Sequence, residues 1–329
     1  MTPLPTLCVP MLEALTDWRS APEVLAGCPE LGSLESTTQL LTLLADASIL
    51  DRTTDPIRDL SVWAPWSPEA VAFHFATKDG SYPDDLIAYE QVLRAKAVVE
   101  PPPPACKKIA GSRTRLASKD LATPVTKTLH ERRTWRNFGA GSLQREALEA
   151  LLFHTWGVQA WGNVPGQSRV PLKTSPSGGA RHSIEAYVAV LDVNGLEPGW
   201  YHYDAEAHEL VGVRSGCQPA ELVHCLAGQN YFRGAAAAIV MCPVFARAMW
   251  RYPFSRVYRA VLIEAGHLGQ SFCLLATEMG LAPFCTMAFR EAEIESILGL
   301  DGVTECPIYV VGVGIQAADR RRHPGGMSE

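Results

Sequence analysis

The sequence predicts an α+β protein in two parts: a small acidic N-terminal module, then a larger domain with a central antiparallel sheet and flanking helices. Three observations carry this. The four-proline run Pro101 to Pro104 separates two stretches of different charge balance. Beyond it, apolar runs of strand length are punctuated by Asn-Gly and Pro-Gly turns. Among them lies one long helix candidate, Ser255 to Met279, apolar on most sides and therefore central.

Composition narrows the function. At 329 residues the chain fits two domains, or one with a sizeable attachment. An apolar share of 47% leaves material for a substantial core. The net charge of −6 and a pI near 5.9 argue against nucleic acid or an anionic membrane as partner. No basic-then-apolar start and no apolar run of membrane-spanning length is read, so a cytoplasmic protein is expected. The nine cysteines contain no C-x-x-C and the nine histidines no H-x-x-x-H, which speaks against disulfides and against a metal site. Cys242 and Cys273 lie in apolar runs and read as small core residues.

Residues 1–100 hold 6 Lys+Arg against 15 Asp+Glu, whereas the remainder holds 23 against 20. A short helix is expected around Met11 to Leu15. A better one runs from Ser36 or Thr37 as N-cap through Leu40, Leu41, Leu43 and Leu44. Ile49-Leu50 and Val71 to Ala76 read as short strands, the second ending at the turn Lys78-Asp79-Gly80. Helix, helix and hairpin outline a winged-helix-like module. Its negative excess repels phosphate, so docking of a peptide or partner is expected of it rather than DNA binding. Residues 101–126 form a stiff Pro-rich and basic linker, and 127–329 the second domain.

That domain opens on Arg132-Arg133-Thr134-Trp135-Arg136-Asn137-Phe138. Arginines interleaved with Thr134 and Trp135 and ending on Phe138 favour a partly buried anion site over a solvated face. An amphipathic helix follows, with Ser142 as N-cap and Leu148, Leu151 and Leu152 on one side. Next comes the loop Thr174 to Ser183, which leads straight into an apolar strand, Ile184 to Leu191. Its two glycines let the backbone approach a flat ligand with N–H groups free to donate, and Arg181 and His182 stand at its mouth.

The remaining elements alternate. The strand ending at Val193 turns at Asn194-Gly195. Trp200 to Tyr203, Leu210 to Val213 and Ala235 to Met241 are further strands. The central helix closes at Gly280 and carries Ala265, Gly266 and Gly269 midway, where another helix or a ligand can come close. A strand at Phe284 to Phe289, a helix Glu291 to Leu298 ended by Gly299, and a strand Pro307 to Val313 complete the domain.

Taken in order, several motifs resemble the nitroreductase-like flavoenzymes over roughly residues 127 to 314. They are Arg132 to Phe138, Pro176-Ser177-Gly178-Gly179-Ala180-Arg181-His182, Gly199 to Asp204, Ala265-Gly266-His267-Leu268-Gly269-Gln270 with Gly280-Leu281, and Val311 to Gly314. The closer resemblance is to SagB-type dehydrogenases, the oxidase component of thiazole- and oxazole-forming peptide synthetases. It implies a nitroreductase-like fold and a homodimer with FMN at the subunit interface.

For the cofactor, the resemblance lays Pro176, Ser177, Gly178 and Gly179 against the flavin. Arg132, Thr134 and Arg136 suit a terminal phosphate, which needs several donors; Arg133 is counted with them, although alternation turns it away. Arg181 is the candidate for tuning flavin charge, and His267 and Gln270 for its edge. His267 reads equally well as a core histidine. Arg320, Arg321 and Arg322 read as a further phosphate contact or a frayed basic tail.

Azoline-oxidising members carry a Lys-Tyr pair shortly before the central helix, and Arg251-Tyr252 occupies that place here. Tyr252 can donate or accept a proton, whereas Arg251 supplies a cation and never a base. The implied function is oxidation of azolines, or reduction of dehydroamino acids with NAD(P)H, in a ribosomally made precursor peptide, alongside other maturation enzymes. One alternative is an NAD(P)H-dependent nitro- or ene-reductase on small molecules, which has no evident need of the acidic module. Another is a non-catalytic peptide-binding partner, against which the retained arginines and Gly-Gly loop speak.

Overall fold

The computed structural model describes residues 19–46, 60–80, 86–100, 121–163 and 169–318, together with Leu50, Tyr82 and parts of 102–116. The expected helix at Met11 to Leu15, the strand residue Ile49 and the tail Arg320 to Arg322 lie outside the described residues. The chain divides into two compact units, Met1–Leu60 with Trp66–Lys78, and Ser61–Pro65 with Asp79–Glu329.

The first unit is helical: α1 (Ala21–Gly27), α2 (Leu34–Asp46) and α3 (Pro68–Ala76). Val24, Cys28 and Leu44 are buried together, with Leu31, Leu40 and Leu41 packed on them. Helix α2 starts before the expected Ser36. The backbone N–H of Ser36 donates to the Ser33 hydroxyl at 3.1 Å, and that of Ser33 to the Ser36 hydroxyl at 3.0 Å, so Ser33 closes the helix start. The expectation of a strand at Val71 to Ala76 is corrected, since those residues are the body of α3. Pro68, with φ already helical and no N–H to satisfy, starts the helix behind the extended Ser67. No strand occurs among the described residues of this unit, so the hairpin of a winged helix is not found there.

The second unit opens with α4 (Leu86–Val99), α5 (Pro124–Glu131) and α6 (Arg145–Trp156), followed by a hairpin of β1 (Ala160–Asn163) and β2 (Arg169–Leu172). Then come β3 (Ile184–Val190), β4 (Gly199–Asp204), β5 (Glu209–Ser215), α7 (Pro219–Cys225), β6 (Ala237–Pro243), α8 (Phe245–Arg251), α9 (Val257–Glu278), β7 (Leu281–Thr286), α10 (Glu291–Leu298) and β8 (Tyr309–Ile315). Six strands form one antiparallel sheet in the order β5-β4-β3-β6-β8-β7. All of β6 and nearly all of β3 are buried, which explains their continuous apolar sequence; the edge strand β5 is largely exposed. Phe232 stacks on Phe284 with ring centroids 3.9 Å apart in the core.

Local details adjust the expected boundaries. Gln144, not Ser142, precedes α6. The strand expected at Phe284 to Phe289 is β7, three residues earlier, where Trp135 N–H donates to the Pro283 carbonyl at 2.9 Å. The last strand also runs two residues past Val313. By length and composition α9 is apolar enough to cross a membrane, contrary to the reading of its sequence, but Val261, Glu264, Leu268, Phe272 and Ala276 are buried within the fold.

Residues upstream of the linker belong to this unit too, Trp63 and Asp79 among them. Trp63 is buried, its indole N–H donating to the Val303 carbonyl at 3.0 Å and its ring 4.8 Å from that of Phe245. Asp79 accepts the Ala292 N–H at 2.9 Å and thereby supplies the cap that Arg290 does not give α10.

Candidate functional site

The Gly-Gly loop is a strained turn on a buried support. Gly178–Ala180 form a short 3₁₀ turn in which Gly179 has φ of 62°, and Ala180 and His182 also sit at positive φ, 53° and 43°. Side chains other than glycine rarely adopt such values, and their occurrence together marks a loop held by its surroundings. Ser177 is the inner hinge. Its hydroxyl accepts the His182 N–H at 2.9 Å and donates to the carboxylate of Glu264 at 2.5 Å. Glu264 lies on α9 and is 6% exposed; burial raises its pKa, against the hydrogen bonds from Ser177, Ile184 and Ser183. Pro176 and Gly178 face outward.

Tyr252 and Arg251, at the end of α8, pack against this loop. A Cβ placed on Gly179 would stand 2.9 Å from the Tyr252 hydroxyl and 3.3 Å from Cγ of Arg251. The Arg251 guanidinium is 5.8 Å from the Tyr252 ring centre. Arg181 turns toward the same helix, donating from Nε to the Arg247 carbonyl at 3.1 Å and lying 4.7 Å over the Trp250 ring. His182 is 8% exposed. Burial first, then the positive charge of Lys173, pushes its pKa down to about 4, so the ring is neutral near pH 7.

Behind the loop is a charged cluster that sequence reading missed. Arg247 pairs with Glu185, whose other oxygen is 2.7 Å from His202 Nε2. Burial opposes ionisation of Glu185, but His202 and Arg247 outweigh it and hold its pKa at about 2. Glu305 nearby is pushed up to about 7, by burial first and then by Glu185. Only the β3 register, which places Glu185 two positions before Tyr187 on one face, hints at this cluster.

The arginine-rich stretch does not converge as a whole. Arg132 caps α5, and Arg132 and Thr134 both interact with the half-buried thiol of Cys285. A hydrogen bond with Cys273 lowers the Cys285 pKa, helped by Tyr309, Arg132 and Thr134. Arg133 folds back onto the carbonyls of His130 and Arg132, at 2.7 and 2.8 Å. Arg136 lies over the Tyr231 ring at 5.6 Å. On α9, His267 and Gln270 are exposed, on a face shared with Leu262, Ile263 and Gly266. That placement sets aside a core histidine at 267.

The fold is thus a six-stranded antiparallel sheet flanked by helices, with a glycine loop set against Arg251 and Tyr252. Residues 129–315 match the nitroreductase family, and the chain belongs to it. It is 31% identical over 186 residues to a nitroreductase-type protein of Methanocaldococcus jannaschii, covering 56% of this chain and 88% of that one. It is also 26% identical over 303 residues to the trifolitoxin operon protein TfxC of Rhizobium leguminosarum bv. trifolii, 86% of this chain and 81% of the relative. The microcin B17-processing protein McbC of Escherichia coli is 30% identical over 154 residues, 44% of this chain and 54% of that protein. Among solved structures, a chain of the E. coli microcin synthetase McbBCD complex with truncated pro-MccB17 bound has the same fold, with a TM-score of 0.51 at 22% identity over 84% of this chain and 98% of that one.

Proposed function

We propose that this protein is an FMN-dependent oxidoreductase of the SagB type that modifies a ribosomally made precursor peptide, by azoline oxidation or by dehydroamino acid reduction. The observation that carries the reading is the packing of Arg251 and Tyr252 on Gly178-Gly179, which puts a phenol and an arginine beside a side-chain-free stretch of backbone that is exposed at Gly178. Processing proteins for microcin and trifolitoxin among the relatives favour a peptide substrate over a small nitro compound.

The donor set fits FMN. Gly178 is exposed and carries no side chain, which gives a flat ring access to the backbone, while Gly179 lets Tyr252 and Arg251 pack close beside it. Arg132 and Thr134, half-buried and side by side at the Cys285 thiol, suit one terminal phosphate. When bound, FMN supplies the two-electron hydride exchange. The residues of this chain do the rest. Ser177 and Glu264 hold the loop, Arg181 brings positive charge to it, and Tyr252 delivers or removes the proton at carbon. The hydride direction decides between oxidase and reductase, with NAD(P)H needed only by the latter. The exposed α9 face with Leu262, Ile263 and His267 is the proposed contact with a second copy, and the acidic N-terminal unit the proposed docking point for the peptide or another maturation enzyme.

The test is the absorption spectrum of purified protein under nitrogen, with and without NADPH, followed by mass spectrometry of a co-expressed precursor peptide. A flavin spectrum with a two-hydrogen mass loss identifies the oxidase, and bleaching by NADPH with a two-hydrogen gain the reductase. A colourless protein that leaves the peptide unchanged overturns the reading.

A further inference from the structure

Arg247 lies outside every motif, yet it joins the two halves of the site. Its Nη1 donates to the His182 carbonyl at 3.1 Å and to Glu185, and its own carbonyl accepts from Arg181 Nε at 3.1 Å. One residue of α8 thus grips three positions where the Gly-Gly loop passes into β3. One turn further along the same helix stand Arg251 and Tyr252, and there the helix meets the loop a second time, at Gly179.

The grip has a rigid base. Glu185 sits opposite Cys242 in the β3–β6 ladder, at the middle of the sheet, and His202 from β4 fixes its second oxygen. An exposed ion pair alone contributes little, and the Arg247 side chain is 39% exposed. What distinguishes it is the shared guanidinium: Nη1 alone donates both to a carboxylate and to a backbone carbonyl, tying the strand to the loop.

We propose that Arg247 is a positioning residue: anchored on Glu185, it docks α8 onto the loop and so sets Tyr252 and Arg251 over Gly178-Gly179. The role rests on the site proposed above, but the docking itself does not require a bound cofactor. It makes Glu185 a partner of catalysis that never touches the reacting atoms.

Hydrogen exchange of the full-length, cofactor-stripped protein tests the docking. In Arg247→Met, amides of 177–183 and of 248–252 should both exchange several-fold faster, while β6 and β8 keep their wild-type rates. Ser177→Ala should loosen 177–183 and leave 248–252 unchanged. In the loaded enzyme, Arg247→Met should lower kcat by roughly 10²-fold, the cost of a misplacement of about 1 Å, with KM for the peptide nearly unchanged. Arg247→Lys should recover part of the loss, and Glu185→Gln combined with Arg247→Met should be no worse than Arg247→Met alone. Wild-type exchange at 248–252 in Arg247→Met, or additive kcat losses in the double variant, would reduce Arg247 to a surface ion pair. Should Arg247→Met not fold, Glu185→Gln and Arg247→Lys carry the same exchange measurement. A wild-type protein without FMN would overturn the flavin reading and leave the exchange result standing.

Discussion

The hydroxyl of Tyr252 stands 2.9 Å from the place a Cβ would occupy on Gly179, a residue whose φ is +62°. Backbone conformation and space both demand glycine there. The neighbouring Gly178 is different: a Cβ on it would meet the Tyr252 ring at 3.6 Å, an ordinary contact.

Gly179→Ala should therefore cost about 1–2 kcal/mol for the left-handed backbone and displace Tyr252 as well. Gly178→Ala should leave stability close to wild type. Urea unfolding of both variants measures the difference, and equal midpoints would contradict the packing.

Tyr252→Phe should lower kcat by ~10²–10⁴-fold with an unchanged flavin spectrum, since general acid–base help is worth that much. Arg251→Lys separates the two reactions. An azoline oxidase should keep or gain activity, whereas a reductase that relies on a fixed guanidinium should lose it. Steady-state rates on the precursor peptide decide, and unchanged rates in both variants would remove the pair from the mechanism.

Denatured protein should release FMN and not FAD, because a single terminal phosphate suits Arg132 and Thr134. Changing both to Ala should leave a folded, colourless protein. Arg136→Ala should retain more flavin, as its guanidinium lies over Tyr231. Flavin absorbance per protein chain measures all three, and full occupancy in the double variant would misplace the phosphate.

His182 and Glu305 should give opposite pH slopes of stability. His182 titrates at about 4 in the fold against 6.5 ordinarily, so the unfolded chain binds more protons between those values. Its stabilisation is complete above pH 6.5 and lost as pH falls through about 4, at most about 3 kcal/mol. Glu305 is raised from 4.5 to about 7, so its contribution is complete below 4.5 and lost as pH rises through about 7. Relative to wild type, urea titrations of His182→Asn should shift the slope of stability toward a fall with rising pH, and those of Glu305→Gln toward a rise.

Light scattering should report a dimer near twice 35.8 kDa. Ile263, 59% exposed on α9, belongs to the apolar face proposed to meet the second copy. Ile263→Glu should yield monomers that bind flavin weakly. A wild-type monomer that holds flavin tightly would dismiss the shared site.

Much of the larger unit was legible because its cues are local. Helix α10 runs over the expected Glu291 to Leu298 and ends at Gly299 in the left-handed region, a stop that glycine meets at low cost. Strands β3, β4 and β6 lie where apolar runs of strand length predicted them, and the Pro-Ser-Gly-Gly loop precedes β3 as read. Val71 to Ala76 was misread because a short apolar run fits a buried strand and a helix equally, and Pro68 upstream decided for the helix. The short helix α8 was likewise missed, hidden beneath the Arg-Tyr pair that it carries.

The sequence by itself determined the central strands β3, β4 and β6, the helices α6, α9 and α10, the glycine loop and the presence of arginines and a tyrosine able to do the chemistry. Periodicity, turn residues and side-chain functional groups are properties of neighbours in the chain. Only the tertiary structure decided which of those groups meet: Tyr252 with Gly179, Ser177 with Glu264, Arg247 with Glu185, Arg132 and Thr134 with Cys285, and Arg136 with Tyr231 instead of with them. Such meetings depend on sheet register and on the docking of α8 and α9. Burial sets both through many small contacts summed over the whole core, a sum that no local stretch of sequence contains.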